Sequence, residues 1–347
     1  MTAYPVVTCS QCGKAFAGPR PCGFSHCHQH KGVPCLTHQE EAASQGRTPM
    51  PADASMTASQ VADTPTVPLR ILSLGAGVQS TTLALLAAHG EIPKPDCAIF
   101  ADTGAEPAAV YEHLSWLCSP NVLPFPVHIV SAGNIYGDIE AMVGGKRWAS
   151  IPAFVMGNDG RAAPITRQCT NEYKIEPIHQ KTRGILGIKR GQSFRHFLGI
   201  GLNADVPILV EQMIGISRDE AERMKPSEHE WIRNIWPLID LGMKRQDCIR
   251  WLESHDYPVP PKSACVFCPF TENQRWREMR DNQPAEWQKA IAIDKMIRSG
   301  APATETRTGT RQMYLHRSLL SLDEVDLTDL FTDAGGFGNE CEGVCGV

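Results

Sequence analysis

Clustered cysteine and histidine residues are the first chemical feature of this sequence of 347 residues. Residues 9–38 hold five cysteines and four histidines, Cys265-x-x-Cys268 forms a second group, and Cys341 and Cys345 lie near the C-terminus. Thiolates and imidazoles at such spacings bind metal ions, and a thiolate is also a strong nucleophile. The sequence therefore has the residue types for metal binding and for thiol chemistry.

The N-terminal group predicts a zinc-binding module in residues 1–39. A segment this short cannot bury a core, and a bound metal would supply the missing folding energy. We expect four cysteines to be the ligands, with one cysteine and two histidines as substitutes. The expected ligands are Cys9, Cys12, Cys22 and Cys27, and the substitutes are His26, Cys35 and His38.

The pair Cys265-x-x-Cys268 is typical of a metal knuckle or of a redox pair. Two thiolates do not complete a tetrahedral site, so further ligands must come from distant parts of the chain. Cys169, Cys341 and Cys345 are the candidates.

A stretch that begins at Leu69 predicts an anion-binding loop. An apolar run ends in Gly75-Ala76-Gly77-Val78-Gln79-Ser80, and a helical pattern follows. Such a loop presents backbone N–H groups and the positive end of a helix dipole to a phosphate. A Walker loop is excluded because no Gly-Lys-Ser/Thr follows, and a dinucleotide fingerprint lacks its third glycine. The candidate nucleotide-binding residues here are Ser73, Gly75, Ala76, Gly77, Gln79 and Ser80.

The rest of the chain alternates strand and helix patterns, which predicts a parallel α/β sheet flanked by helices. Asp102-Thr103-Gly104 follows the second strand, so we expect it at the same carboxyl edge of the sheet as the glycine loop. The predicted strands are 96–101, 127–130, 194–200 and 231–239. The predicted helices are 107–118, 170–187, 217–225 and 243–255, with two amphipathic helices in 271–298 that pack on the sheet.

Charge is distributed unevenly along the chain. The net charge is −5, yet residues 142–200 carry ten Lys and Arg against three acidic residues, a local charge of +7. Within that block we expect Arg167 and Lys174 to flank the start of a helix and to share an anion with it. Residues 319–347 carry seven acidic residues and no Lys or Arg. The basic block suits a polyanionic substrate.

Composition also predicts the cellular compartment of the protein and its domain boundaries. It has no apolar segment typical of a signal peptide and none of membrane-spanning length, so thirteen cysteines indicate metal or thiol chemistry in a cytoplasmic protein. Residues 40–68 are typical of a flexible linker. We expect a nucleotide-binding α/β domain at 69–240 and a helical C-terminal region at 241–347.

Taken in order, these motifs resemble the phosphoadenosine-phosphosulfate (PAPS) reductase family of the PP-loop, or adenine nucleotide alpha-hydrolase-like, superfamily, in its phage and bacterial branch. The resemblance covers about residues 69–347. It rests on the glycine loop at 75–80, Asp102-Thr103-Gly104, Cys169 followed by Lys174-x-x-Pro177, Cys265-x-x-Cys268, and Glu340-Cys341.

This resemblance implies an adenine nucleotide at the sheet edge, either a sulfonucleotide (PAPS or APS) or ATP. It implies a [4Fe-4S] cluster at Cys169, Cys265 and Cys268, and a nucleophilic Cys341 that is regenerated by a thiol reductant protein. Cys345 is then a fourth cluster ligand or a resolving thiol, and zinc is the other metal that these cysteines would hold.

The chain also departs from the family pattern. Gln79 replaces an acidic residue of the loop, and Gln168-Cys169 replaces a pair of cysteines. The N-terminal module is similar to that of some tRNA thiolases. Three functions follow: reduction of a sulfonucleotide, ATP-dependent adenylation and thiolation of a nucleic acid, or non-catalytic regulation by bound nucleotide and zinc.

Overall fold

The computed structural model describes residues 6–8, 15–17, 68–143, 151–165, 168–298, 305–306, 309–310 and 312–328. The candidate N-terminal zinc ligands, Arg167, Cys341 and Cys345 all lie outside these ranges. Strand β1 (Val6–Thr8) pairs antiparallel with β2 (Ala15–Ala17), and the two strands flank Cys9 and Cys12 in the sequence.

The first half of the α/β unit alternates strands and helices as the sequence predicts. Its elements are β3 (Leu69–Leu74), α1 (Val78–His89), β4 (Cys97–Ala101), α2 (Ala108–Leu117), β5 (Val127–Val130) and α3 (Ile135–Val143). A small antiparallel pair follows, β6 (Phe154–Met156) with β7 (Ala162–Pro164).

The second half begins with a π-helix, Asn171–Ile175, which continues directly into α4 (Glu176–Ile185). The elements that follow are α5 (Phe194–Leu198), β8 (Val210–Ile214), a 3-10 helix at Arg218–Arg223, β9 (Ile232–Ile235), α6 (Pro237–Asp240), α7 (Arg245–Ser254), α8 (Asn273–Asn282) and α9 (Pro284–Arg298). Two short strands, β10 (Glu305–Thr306) and β11 (Gly309–Thr310), pair antiparallel.

Five strands form one parallel sheet in the order β5-β4-β3-β8-β9. The chain builds outward from β3 to β5 and then returns to the other side of β3 with β8. The strand order therefore reverses between β3 and β8. Open parallel sheets bind ligands at such a reversal, outside the carboxyl ends of the strands.

Helices cover both faces of this sheet. Alternate residues of a strand point to opposite faces, and Leu72 and Phe100 pack with α1, α2 and α7 while Ile71 and Ile99 pack with α4 and α5. Helix α7 starts after residue 240, the predicted domain boundary, and packs against α1 within the first of these cores.

Helices α8 and α9 belong to a third apolar core and not to the sheet. Trp276 and Trp287 are buried there with Ile139 of α3 and with residues of the 151–155 segment. The prediction that these two helices pack on the sheet is wrong, because the sheet faces are already covered by helices of the α/β unit. The expectation that the tryptophans are core residues is confirmed.

Two secondary-structure predictions are corrected, and one strand was missed. Residues 194–198 form helix α5 because Ser193 Oγ accepts a hydrogen bond from the backbone N–H of His196, and Gly199 ends the helix with a left-handed φ of 66°. The strand predicted at 231–239 stops at Ile235 because Pro237 begins α6. Strand β8 was not predicted.

Strand β8 lacks the continuous apolar run that is typical of a buried strand. It carries Glu211 and Gln212, and yet it is buried along its length. The carboxylate of Glu211 is held between two cations, Arg70 of β3 and Arg233 of β9. These hydrogen bonds and charges hold the pKa of Glu211 below its usual value, although burial opposes them. In the part of the chain that the structure describes, no helix is long and apolar enough to cross a membrane.

Candidate functional site

Three cysteines from two distant segments line one cavity. Cys169, Cys265 and Cys268 face it together with Thr103 and Lys174, and the empty space measures about 460 Å³ with its open mouth included. The structure thus brings together five of the residues that the sequence nominated.

Short backbone contacts hold this cavity against the end of β4. Cys268 N donates to Cys265 O at 3.0 Å, which closes a tight turn, and Val266 N donates to Ala105 O at 2.9 Å. Thr103 O accepts from Ile135 N at 3.0 Å, so the same β4 loop also fixes the start of α3. The cysteine turn is therefore attached to the carboxyl edge of the sheet.

Cys169 reaches the cavity from the start of the segment that contains the π-helix. π-helical turns are rare and occur frequently at functional sites. Lys174 lies within this π-helix and not at a helix start as predicted. Its Nζ pairs with Glu106 Oε1 at 3.2 Å, and both side chains are buried.

Glu106 is a site residue that sequence reasoning missed. It holds Lys174 through one carboxylate oxygen and accepts from Ser263 Oγ at 3.2 Å through the other. Its position, a few residues after the end of β4, was the only available signal. A buried carboxylate requires such partners because an unpaired charge in the interior is costly.

Burial strongly affects the Cys265 thiol. Thr103 Oγ1 lies 3.4 Å from Cys265 Sγ, and burial, followed by the nearby charge of Glu106, raises the pKa of Cys265 well above its usual value. The thiol is therefore protonated at neutral pH in this form. A metal centre that binds the thiolate must displace that proton.

The spacing of the sulfurs distinguishes between metal centres. Around one tetrahedral zinc ion, with bonds of about 2.3 Å, sulfur ligands lie roughly 3.8 Å apart. Among the described residues, Cys169, Cys265 and Cys268 do not form a group whose ligand atoms all lie within 4.8 Å of one another. The three thiols are therefore not gathered around one zinc-sized position in this form, and thiolates are also the usual ligands of iron–sulfur clusters.

The glycine loop lies at the carboxyl end of β3, next to the point where the strand order reverses. All six residues from Gly75 to Ser80 are buried. Gly75 N donates to Ser80 Oγ at 3.1 Å, and Ala76 adopts a left-handed φ of 57°. At least part of the hydrogen-bonding capacity of the loop is therefore used within the loop.

Gln79 connects the loop to the segment that follows β8. Its Nε2 donates to Glu220 Oε2 at 3.0 Å and to Ser217 Oγ at 3.4 Å. Glu220 also pairs with Arg223 at 2.9 Å. These contacts cross the reversal point between β3 and β8.

The carboxylate of Asp102 stabilises the turn that follows β4. Its Oδ1 accepts from Gly104 N at 2.8 Å and from the Tyr111 hydroxyl at 2.7 Å. Burial, followed by the bond to Asp102, raises the pKa of Tyr111 above its usual value. Gly104 has a left-handed φ of 73°, and a Cβ there would meet the Asn134 side chain at 3.0 Å.

The chain is similar to a solved structure of a known protein. A crystal structure of phosphoadenylyl-sulfate (PAPS) reductase from Candida auris, in a phosphate complex, matches this chain with 14% sequence identity and a TM-score of 0.35. The match covers 69% of this chain and 91% of that chain. No family model matches, and no curated protein matches.

Proposed function

We propose that this chain binds an adenine nucleotide at the carboxyl edge of its parallel sheet and reduces a sulfonucleotide by thiol chemistry. The supporting observation is the cavity in which Cys169, Cys265 and Cys268 meet Lys174 beside the end of β4. A site that gathers thiols and a cation at a nucleotide-binding edge suits an anionic sulfur substrate.

In this proposal the thiolate of Cys341 attacks the sulfur of PAPS or APS. An S–S bond forms, the S–O bond to the nucleotide phosphate breaks, and the adenosine phosphate leaves with the electron pair. A second thiol, from Cys345 or from a thiol reductant protein, then attacks Cys341. The resulting disulfide takes the place of two thiols, and sulfite leaves with the two electrons that they supplied.

The residues of the cavity fit an iron–sulfur cluster. Cys169, Cys265 and Cys268 would hold it, and Cys345 is the proposed fourth ligand if it is not the resolving thiol. When bound, the cluster would supply an electron-accepting centre beside the nucleotide. Lys174, fixed by Glu106, would place its positive charge at the cavity wall and orient an anionic group.

The glycine loop would bind the inner phosphate through its backbone N–H groups. The contact of Gln79 with Glu220 lies across this approach. Binding would therefore require the segment after β8 to move away from the loop. Zinc would stabilise the N-terminal module through Cys9, Cys12, Cys22 and Cys27.

The test is turnover by the anaerobically purified full chain. With PAPS or APS and a thiol reductant, we expect sulfite as the product and its complete loss in Cys341→Ser. Cys345→Ser is the matched comparison, since a resolving thiol can be replaced by added reductant and a nucleophile cannot. Sulfite production that survives Cys341→Ser would contradict the proposed reduction.

ATP-dependent adenylation and thiolation of a nucleic acid is the second candidate function. One observation favours it: only three cysteines of the described residues line the cavity. In this function Cys169, Cys265 and Cys268 would be the protein ligands of a cluster that would supply a site for the sulfur to be transferred. This function predicts pyrophosphate release from ATP only when a nucleic acid is added. Tight nucleotide binding with neither sulfite nor pyrophosphate would indicate the regulatory role.

A further inference from the structure

Two histidines and a glutamate form an exposed cluster away from the sheet edge. His89 is the last residue of α1, Glu91 follows it by two residues, and His255 directly follows α7. One potential ligand atom from each lies within 4.8 Å of the others. Two imidazoles and a carboxylate are a donor set that suits zinc and its neighbours among the transition metals.

Hydrogen bonds orient His255 for metal binding. Its Nδ1 lies 2.8 Å from the backbone oxygen of Trp251 and 3.1 Å from Ser254 Oγ. A carbonyl only accepts, so Nδ1 carries the proton and Nε2 presents its lone pair. The ring also stacks on Trp251 at a centroid distance of 4.1 Å. A donated N–H bond of this kind is typical of histidines that bind metals.

His89 has a comparable partner on its other ring nitrogen. Its Nε2 lies 2.9 Å from the hydroxyl oxygen of Tyr257. When that oxygen accepts the Nε2 proton, Nδ1 presents its lone pair. The ring packs edge-on against Trp251 at 5.4 Å and against His255 at 5.3 Å. Both imidazoles are thus held by neighbouring groups.

The backbone favours a cation at this place. Helices α1 and α7 pack together and both end here, so their carbonyl ends give the region partial negative charge. Gly90, with a left-handed φ of 78°, ends α1 and returns the chain so that Glu91 lies beside His89. Two helix termini and a carboxylate therefore complement a positive ion.

We propose that His89, Glu91 and His255 bind a divalent transition-metal ion of the zinc class. Three protein ligands leave a position for water. The glycine loop lies at the other end of α1, which has 12 residues and is about 18 Å long. The ion would clamp the ends of α1 and α7, separately from the proposed nucleotide and cluster sites.

Zinc binding by the reduced full chain tests this site. Equilibrium dialysis against Zn²⁺ compares the wild type with Glu91→Gln and His255→Gln, and His196→Gln replaces an exposed histidine of α5 as the control. Thiol sites contribute equally to all four proteins. We expect each cluster variant to bind one zinc ion fewer, or to bind that ion at least about tenfold more weakly.

A second measurement separates loss of ligands from loss of folding. In histidine-detected NMR, Zn²⁺ should shift the ring signals of His89 and His255 in the wild type and in His196→Gln. The exposed Glu91→Gln variant should keep wild-type unfolding behaviour and lose these shifts. Equal zinc stoichiometry and affinity in all four proteins would overturn the proposal.

Discussion

The glycine loop and the cysteine cavity follow neighbouring strands of one sheet, yet their polar groups are arranged in opposite ways. In the loop, Ser80 accepts from Gly75 and Gln79 donates to Glu220, and all of these residues are buried. In the cavity, three thiols and Lys174 face an open space. The loop is closed by its own contacts, whereas the cavity is open to a ligand.

A recognisable sequence motif therefore does not by itself show that a site is open to a ligand. The loop has the more familiar sequence, and in the proposed function a phosphate would first displace the contact between Gln79 and Glu220. The cavity has a weaker sequence signal, and its wall is already assembled around Glu106. We therefore expect substitutions of the cavity cysteines to affect metal binding, and substitutions of the buried polar contacts at either place to affect folding.

The largest expected effect is loss of the proposed iron–sulfur cluster from the cavity. After anaerobic purification or reconstitution, Cys268→Ala should retain less than about a tenth of the wild-type iron and sulfide, because the remaining thiols of the cavity cannot hold a cluster. The control is Cys97→Ala, which changes a buried thiol of β4 outside the cavity. Iron content that is equal in all three proteins would place the metal elsewhere.

Breaking the buried ion pair at the cavity wall should strongly destabilise the fold. Lys174→Met leaves the carboxylate of Glu106 buried without its cation and should cost about 3–5 kcal/mol in the free energy of unfolding. Denaturant titration measures this cost. Lys189→Met, at an exposed lysine, should stay within about 0.5 kcal/mol of the wild type.

The double variant Glu106→Gln/Lys174→Met tests whether the cost of Lys174→Met comes from the unpaired charge of Glu106. Removing both charges should recover much of the lost stability, because no unpaired charge then remains buried. If Lys174→Met alone unfolded at the wild-type denaturant concentration, the described pair would not contribute to the fold.

At the loop, Gln79→Glu should destabilise the chain by about 2–3 kcal/mol. The substitution replaces a donor by a second carboxyl group beside Glu220, and both positions are buried. Urea unfolding of Gln79→Glu, Glu220→Gln and the double variant forms a cycle. The double variant should be more stable than Gln79→Glu. Additive costs would show that the two side chains do not interact.

An acid sensitivity of the core behind the loop is the last expected effect, and at pH 4.5 it is comparable in size to that of Gln79→Glu. His113 lies 3.0 Å from Thr81 Oγ1 of α1, and burial lowers its pKa to about 3. The unfolded chain takes up this proton near pH 6.5 and the folded chain does not. Stability is therefore lost as pH falls from about 6.5 toward 3, by roughly 2–3 kcal/mol at pH 4.5.

Unfolding experiments between pH 7 and pH 4.5 measure this slope. His113→Gln should reduce it, and His196→Gln, at an exposed position, should leave it unchanged. His179 has a pKa lowered to about 4 by burial and by His229, so part of the acid sensitivity should remain in His113→Gln. A slope that His113→Gln does not alter would place the sensitivity at other groups.

Local signals were sufficient to predict the centre of the fold. The apolar runs of β3, β4 and β5 and the periodic pattern of α2 gave elements within a few residues of those observed. Strand β8 was missed because the cations that neutralise Glu211 come from strands far away in the sequence. Helix α5 was missed because it has only five residues, too few for a helical repeat, and is defined by its caps Ser193 and Gly199.

The candidate site was predictable in its residue types but not in its contacts. Cys169 was nominated beside Cys265 and Cys268, and the structure places all three at one cavity. Glu106 and Glu220 were not nominated, since each acts through a partner that only the fold brings near. Their contacts with Lys174 and Gln79 span 68 and 141 residues of sequence.

The crowded position of Gly104 has a practical consequence. Because a side chain there would meet Asn134 and would also have to adopt a left-handed backbone, a saturation library at this codon should return almost only glycine under any selection that demands a folded chain. Pairing that library with randomised codon 134 should recover additional residues only where the partner becomes smaller. Such a genetic screen tests the conformation of Gly104 and its contact with Asn134 without an assay for activity.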